Sequence, residues 1–286
     1  MNWFGHFRRA GICTPKRLSR WGKISVYYVM TPREELLQYF PKGGVGAEVG
    51  VAQGDYSARI LEAAQPSELH LVDPWSHLEA GSDLLEAADL LATVGAGADA
   101  DRALEPTPAN SAGDEQFTAI TARFEGDPRV RLHRQYSYKA AAGFAPGMFD
   151  FVYLDGNHHY EFVLRDLEDF AARLKPGGLL FGHDFFEDSF ARQEHYGVVD
   201  AVNTFVKRSD FRFLMLTWEP FSTFCLARSL DGFAGAFVRN LFEGPAAIIE
   251  LPDGLAGSYR DKAFKRRDGS IRRVPSFINS SQFLLS

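Results

Sequence analysis

The sequence contains only two cysteines, Cys13 and Cys225, in 286 residues. Two widely separated thiols cannot form a disulfide framework, and the cysteines and histidines show no zinc-type spacing. They read as the reduced thiols of a cytoplasmic protein. No stretch approaches the ~20 uninterrupted apolar residues that a bilayer-spanning helix needs, so no membrane partner is expected. The first residues are basic, but no apolar run with a small-residue cleavage site follows them, which argues against a secretory signal. Internal repeats are also absent.

A net charge of −6 argues against a general nucleic-acid binder. The charge is unevenly spread, however. Residues 1–23 carry six Lys/Arg and no acid, and Arg260 to Arg273 carries seven against two acids. Solvated faces or a contact between two copies of the chain, as in a dimer, explain such termini. An anionic group on a substrate would explain them too.

An apolar fraction of 45%, with 25 phenylalanines, is ample for a core. Residues 1–40 read as an irregular or helical preface that ends in an amphipathic piece, Thr31 to Phe40, opened by Thr31-Pro32. From Val45 onward short apolar runs alternate with helical patterns, the mark of βαβ units and a mostly parallel sheet. Candidate strands are Val45–Val51, Glu68–Val72, Val130–His133, Phe149–Leu154, Gly178–Gly182, Phe211–Thr217 and Thr223–Ala227. Tyr160, Val163, Leu164, Leu167, Phe170, Ala171 and Leu174 form one helical stripe, stopped by Lys175-Pro176-Gly177-Gly178. The expected fold is α/β and Rossmann-like, with seven strands, helices on both faces and a final antiparallel hairpin. Its domain would span 41–228, interrupted by an Ala/Gly/Asp-rich insert or lid at 78–115, with a C-terminal extension over 229–286.

The run Val45-Gly46-Ala47-Glu48-Val49-Gly50-Val51-Ala52-Gln53-Gly54-Asp55-Tyr56-Ser57 takes a strand through a glycine turn into a helix. Gly50 would let the backbone pass close to a ligand, and Gly54 would let helix and strand pack closely. The helix start at Ser57 offers free amides to a carboxylate. Asp73 ends the next strand, 25 residues after Glu48. An acid there is placed to accept hydrogen bonds from both ribose hydroxyls of a nucleoside cofactor. A dinucleotide such as NAD prefers G-x-G-x-x-G after the strand, whereas the glycines here read G-x-x-x-G. Glu48 would repel a pyrophosphate but suit the ammonium of a methionine moiety. S-Adenosyl-L-methionine is therefore the expected cofactor. Trp75 would pack on its nucleoside or seal the core, and Ser137 would border its adenine.

Asp155 ends the strand Phe149–Leu154, where it is a candidate for the cofactor site and for catalysis, and His183-Asp184 ends the next. Adjacent parallel strands lie about 5 Å apart, so the two carboxylates can converge above the sheet. With His183 or His158 beside them they can hold Mg²⁺ or another divalent metal, or they can cap the helices that follow. His158, three residues past Asp155, faces the same crevice and is a candidate general base, because imidazole titrates near neutrality.

With these residues in place, the chain resembles the class I methyltransferases that include macrocin-type sugar O-methyltransferases and relatives similar to cephalosporin hydroxylase. The likeness runs from Gly43 to Arg228. It rests on EVGVAQGDYS, LVDPW and, above all, FDFVYLDGNHHYEFVLRDLEDFAARLKPGGLLFGHDF from Phe149. In members with a metal, the resemblance implies ligands at Asp155 and Asp184, a carboxylate at the position of His183, and a general base at His158. His183 departs from that pattern. The expected reaction is transfer of the sulfonium methyl to a hydroxyl of a small-molecule acceptor, with Phe185, Phe186, Trp218 and the 78–115 segment as walls. A non-methylating hydroxylase-like enzyme and a binding or accessory subunit are the other readings of the same scaffold.

Overall fold

Short runs of β-branched and aromatic residues, apolar on both sides, put a mostly parallel sheet at the centre of the molecule. The computed structural model describes residues 26–75, 111–187, 196–251, 260–266, 268–269 and 271–276. Its strands are β1 (Val26–Val29), β2 (Val45–Val49), β3 (Glu68–Asp73), β4 (Val130–Arg134), β5 (Phe149–Leu154), β6 (Leu174–Phe185), β7 (Arg212–Thr217), β8 (Ser222–Ala227), β9 (Ile248–Leu251), β10 (Arg260–Lys265) and β11 (Ile271–Ser276). The helices are α1 (Arg33–Leu36), α2 (Asp55–Arg59), α3 (Ser111–Arg123), α4 (Ser137–Gly143), α5 (Tyr160–Ala171), α6 (Val198–Arg208) and α7 (Gly232–Glu243). A 3-10 turn, Leu37–Tyr39, follows α1, and a π turn, Ile60–Ala64, follows α2.

Nine strands form one sheet in the order β4-β3-β2-β5-β6-β8-β7-β1-β9, while β10 and β11 pair separately. From β4 to β6 the neighbours are parallel, and β8 runs antiparallel between β6 and β7. The fold is α/β and Rossmann-like with a closing antiparallel hairpin. Its sheet has nine strands rather than the seven expected. The two additions, β1 and β9, lie in the segments read as a helical preface and a C-terminal extension. Val26-Tyr27-Tyr28-Val29 pairs parallel with β7 and antiparallel with β9. Its β-branched and aromatic composition is that of a strand, and the amphipathic piece after it had drawn the whole segment toward helix.

Two cores cover the two faces. One joins Leu167, Phe170, Val202 and Phe205 of α5 and α6 to Phe149, Val152 and Leu180. The other joins Ile60, Phe237 and Leu241 to Leu71, Phe151 and Phe181. Phe149 and Phe151 fall on opposite faces because the β5–β6 register shifts between them. β6 starts at Leu174, ahead of Pro176-Gly177-Gly178, so the helix-stopping sequence is already part of the strand.

Phe40, 2% exposed, fastens the N-terminal segment to this frame. Its ring stacks on Phe181 at 5.0 Å and meets Phe151 and Phe237 edge-on at 5.1 and 5.4 Å. Among the described residues no helix is long and apolar enough to cross a membrane. Phe40→Ala should cost about 3–5 kcal/mol in urea unfolding, the usual loss for a fully packed aromatic. A loss below about 1 kcal/mol would show that the N-terminal segment is not part of the cooperative core.

Candidate functional site

The sheet's carboxyl edge is shaped by how β2 stops. Gly50 (φ 87°) donates its N–H to Val72, and Asp155 donates its own to Val49 at 2.7 Å. A β-carbon at Gly50 would lie 2.1 Å from the Asp155 carbonyl oxygen, so glycine is required for the β2 and β5 loops to touch. Close approach of chain to chain thus adds a second requirement for glycine at a position that also lines a cavity at this edge. Gly54 (φ 74°) precedes α2, and a β-carbon there would meet Phe124 and Ile120 near the end of α3, not the strand.

Asp73 ties this loop down. One of its oxygens accepts from the N–H groups of Val51 and Ala52 at 2.9 and 3.0 Å, and the other from Trp75 N–H at 2.7 Å. An ionised carboxylate offers about four acceptor sites, so capacity for a further donor remains. Trp75 adopts φ 42°, is 2% exposed, and donates its indole N–H to Ala52.

A cavity of about 410 Å³ opens over these strand ends. Its lining includes Gly50, Asp73, Trp75, Ser137 and Asp155 among the residues expected at a cofactor site, together with Gln116, Tyr136, Tyr138, Phe162 and Asp166. Of the 78–115 insert, residues 78–110 lie outside the described set, but α3 delivers Gln116 to the wall and Phe117 against Trp75 at 5.1 Å. Glu48, Gly54 and Ser57 are not among the residues that line the cavity. Glu48 is 2% exposed, and burial pushes its carboxyl up to about 8. The nearby Ser57 hydroxyl and Arg33 work against that rise, and the charges of Asp155 and Asp73 add to it. Neither Glu48 Oε2 nor Ser57 Oγ completes a hydrogen bond.

Beside the cavity, Asp155, His158 and Asp184 present ligand-type atoms all within 4.8 Å of one another. His158 Nε2 lies 2.9 Å from Asp184 Oδ2. His183 Nδ1 is 3.2 Å from that same oxygen and 3.6 Å from Asp155 Oδ1. Burial pulls the His158 pKa down, but Asp184 and then Asp155 outweigh it and leave the imidazole raised. Burial would raise Asp184, yet the two histidines hold it well below the carboxylate range. Asp184 sits at φ 54°, in the left-handed region that few residues other than glycine adopt. Of the two histidines the sequence offered beside the carboxylates, the tight group contains His158.

Arg33 was not foreseen. Its guanidinium donates to Asp155 Oδ2 at 2.7 Å, reaches the Tyr153 hydroxyl at 3.4 Å, and lies 4.7 Å over the Tyr56 ring. Its backbone N–H donates to Glu219. Because α1 is a single turn of four residues, no local pattern in the sequence marks Arg33 for this role. Phe185 and Phe186, expected in a pocket wall, are core residues at 0% and 1% exposure, packed on Phe213, Phe224 and Phe221. Trp218 is 38% exposed and remains available as a wall.

Residues 47–185 match the family described as a methyltransferase domain. No curated protein matches the chain. Solved structures with a similar fold include a proposed rRNA-methylase from Clostridium thermocellum, 12% identical over 68% of this chain and 92% of that one, with a TM-score of 0.45. A proposed methyltransferase from Streptococcus mutans in complex with SAH covers 68% of this chain and 93% of its own, at 12% identity and TM-score 0.43. The N-methyltransferase NodS from Bradyrhizobium japonicum WM9 is 11% identical over 67% and 90%, with a TM-score of 0.43.

The state of Glu48 is open to measurement. Its folded pKa lies above the unfolded value, so the native state binds the extra proton. Stability should therefore fall as pH rises from about 4.5 through about 8. Glu48→Gln should remove that part of the slope and gain on the wild type by at least about 2–4 °C in Tm between pH 5 and pH 9. A pH-independent difference would mean that Glu48 is ionised in the fold.

Proposed function

We propose that the chain is an S-adenosyl-L-methionine-dependent methyltransferase acting on a hydroxyl of a small-molecule acceptor, with residues 41–228 as the transferase unit. The observation that carries the reading is the cavity at the carboxyl ends of β2, β3 and β5, lined by Asp73 and by Val49 and Gly50, the residues that follow the buried Glu48, whose Oε2 has no hydrogen-bond partner. The matched methyltransferase domain covers the same strands. The resemblance to macrocin-type sugar O-methyltransferases supports an oxygen acceptor.

S-Adenosylmethionine supplies an electrophilic sulfonium methyl, so the protein's work is alignment and proton removal. In this reading Asp73 takes a ribose hydroxyl with its spare acceptor capacity, while Trp75 and Ser137 border the nucleoside. Glu48 gives up its proton and pairs with the ammonium of the methionine end. His158, oriented and made more basic by Asp184, takes the proton from the acceptor hydroxyl. Arg33 pairs with Asp155 and holds it in place between the two halves of the site.

A divalent cation is a second reading, favoured by the clustering of Asp155, His158 and Asp184. Two carboxylates and an imidazole fit a hard or borderline ion, which would polarise the acceptor oxygen. His158 cannot be ligand and base through the same nitrogen, however. Asp155 and Asp184 also already have partners in Arg33 and the histidines. The first reading is therefore preferred.

At millimolar S-adenosylhomocysteine the melting temperature should rise by several degrees through mass action, and NAD should leave it unchanged. Asp73→Ala should abolish that rise and Asp155→Asn should retain it. Stabilisation by NAD alone would sink the proposal. Mn²⁺ followed by electron paramagnetic resonance separates the two chemistries: wild type should bind it no more tightly than Asp184→Asn. A strong site lost in Asp184→Asn would replace the His158 base with the cation.

A further inference from the structure

Three acids line the main cavity, and two of them are already engaged: Asp73 on the loop amides and Asp155 on Arg33. The third, Asp166, is 7% exposed and has no part in the chemistry above. It lies one helical turn beyond Phe162 on α5, so both side chains face the cavity from the same side of the helix. Ser137, at the opening of α4, lines the same wall and hydrogen-bonds the Asp166 carboxyl. Tyr136, Tyr138 and Trp75 supply flat apolar surface around them. A buried acid among aromatic rings, apart from the ribose and methionine contacts, calls for a polar ligand edge.

We propose that Asp166 reads the Watson–Crick edge of the cofactor's adenine, with Ser137 fixing the orientation of its carboxyl. The inference rests on the S-adenosylmethionine reading and adds to it the residue that distinguishes adenine from other bases. That edge offers an amino donor beside a ring-nitrogen acceptor. A protonated carboxyl offers the complement, one acceptor oxygen and one O–H donor. An ionised one would satisfy the amine but turn lone pairs toward N1. Burial pushes Asp166 up to about 7; Asp169 adds to the rise, and the Ser137 hydroxyl and Arg165 oppose it. The other titratable groups around it are Tyr136 and Tyr138 beside α4, Asp155 and His158 from the β5–α5 loop, His183 from β6 and Asp73 from β3. A purely structural Asp166, holding only the start of α4, would be indifferent to the identity of the base.

The test titrates 5′-methylthioadenosine, and its purine analogue lacking the 6-amino group, into the full chain by calorimetry. Wild type should prefer the adenine compound by about tenfold, because removing the amine leaves a buried acceptor unpaired. Asp166→Leu should bring the ratio to about one, and Asp166→Asn, which retains a donor and an acceptor, should keep it. Wild-type affinity for methylthioadenosine should also fall between pH 6 and pH 8.5, while that of Asp166→Asn stays level. Should Asp166→Leu fail to fold, the pH comparison decides. A ratio unchanged in Asp166→Leu, or one pH profile shared by wild type and Asp166→Asn, overturns the inference alone. No binding of any adenine ligand to wild type, S-adenosylhomocysteine included, removes the cofactor reading and this inference together.

Discussion

At the carboxyl ends of β2, β5 and β6 the sheet gathers Glu48, Asp155 and Asp184 in a space largely shut off from water. Two unit charges 4 Å apart interact by about 4 kcal/mol at the effective dielectric of a protein surface, and each also loses hydration. The fold resolves the three acids differently. Glu48 keeps its proton, Asp155 takes Arg33, and Asp184 is held ionised by His158 and His183. The result is one neutral acid, one locked carboxylate and one polarised imidazole around a single crevice. Pairs of titratable groups pushed apart in pKa are how one site separates its acid, base and binding roles.

Neutralising Asp155 explains the part of the architecture beyond a seven-stranded sheet. Arg33 follows β1 by only a few residues, and β1 adds to the sheet beside β7. Trp218 N–H donates to Val29, and Glu219 accepts both the Thr217 hydroxyl and the Arg33 N–H. β9 closes the outer edge of β1, and Met30 donates to Ala247. Phe40 then fastens the same segment to the other core face. The N-terminal strand and the C-terminal extension together deliver one guanidinium to one carboxylate across the molecule.

The parallel core was legible because its strands are short apolar runs, and the helices between them have one apolar stripe each. The tips of those strands were legible too: Asp73, Asp155 and Asp184 stand where α/β sheets bind ligands. The extra strands were harder to see. Four residues at β1 and four at β9 are too few for periodicity to decide, and both owe their conformation to neighbours distant in sequence. The same holds for side-chain partnerships. Nothing local in the sequence says that Gly50 clears the Asp155 carbonyl, that His158 rather than His183 completes the tight cluster, or that Arg33 belongs with Asp155. Asp166 looks like any acid on an amphipathic helix until α4 is laid beside it. Phe185 and Phe186 misled for a related reason: they follow the site in sequence, but the strand turns them into the core.

The central claim is that Glu48 holds a proton in the empty protein and surrenders it to the cofactor's ammonium. Calorimetry of S-adenosylhomocysteine binding at pH 6, repeated in buffers of different ionisation enthalpy, counts that proton. At this pH Glu48 and Asp166 both begin protonated, so only Glu48 has a reason to change. The account predicts release of about one proton in the wild type and none in Glu48→Gln. Tight binding with no proton released would contradict it, placing the ammonium elsewhere and leaving Glu48 a buried neutral acid.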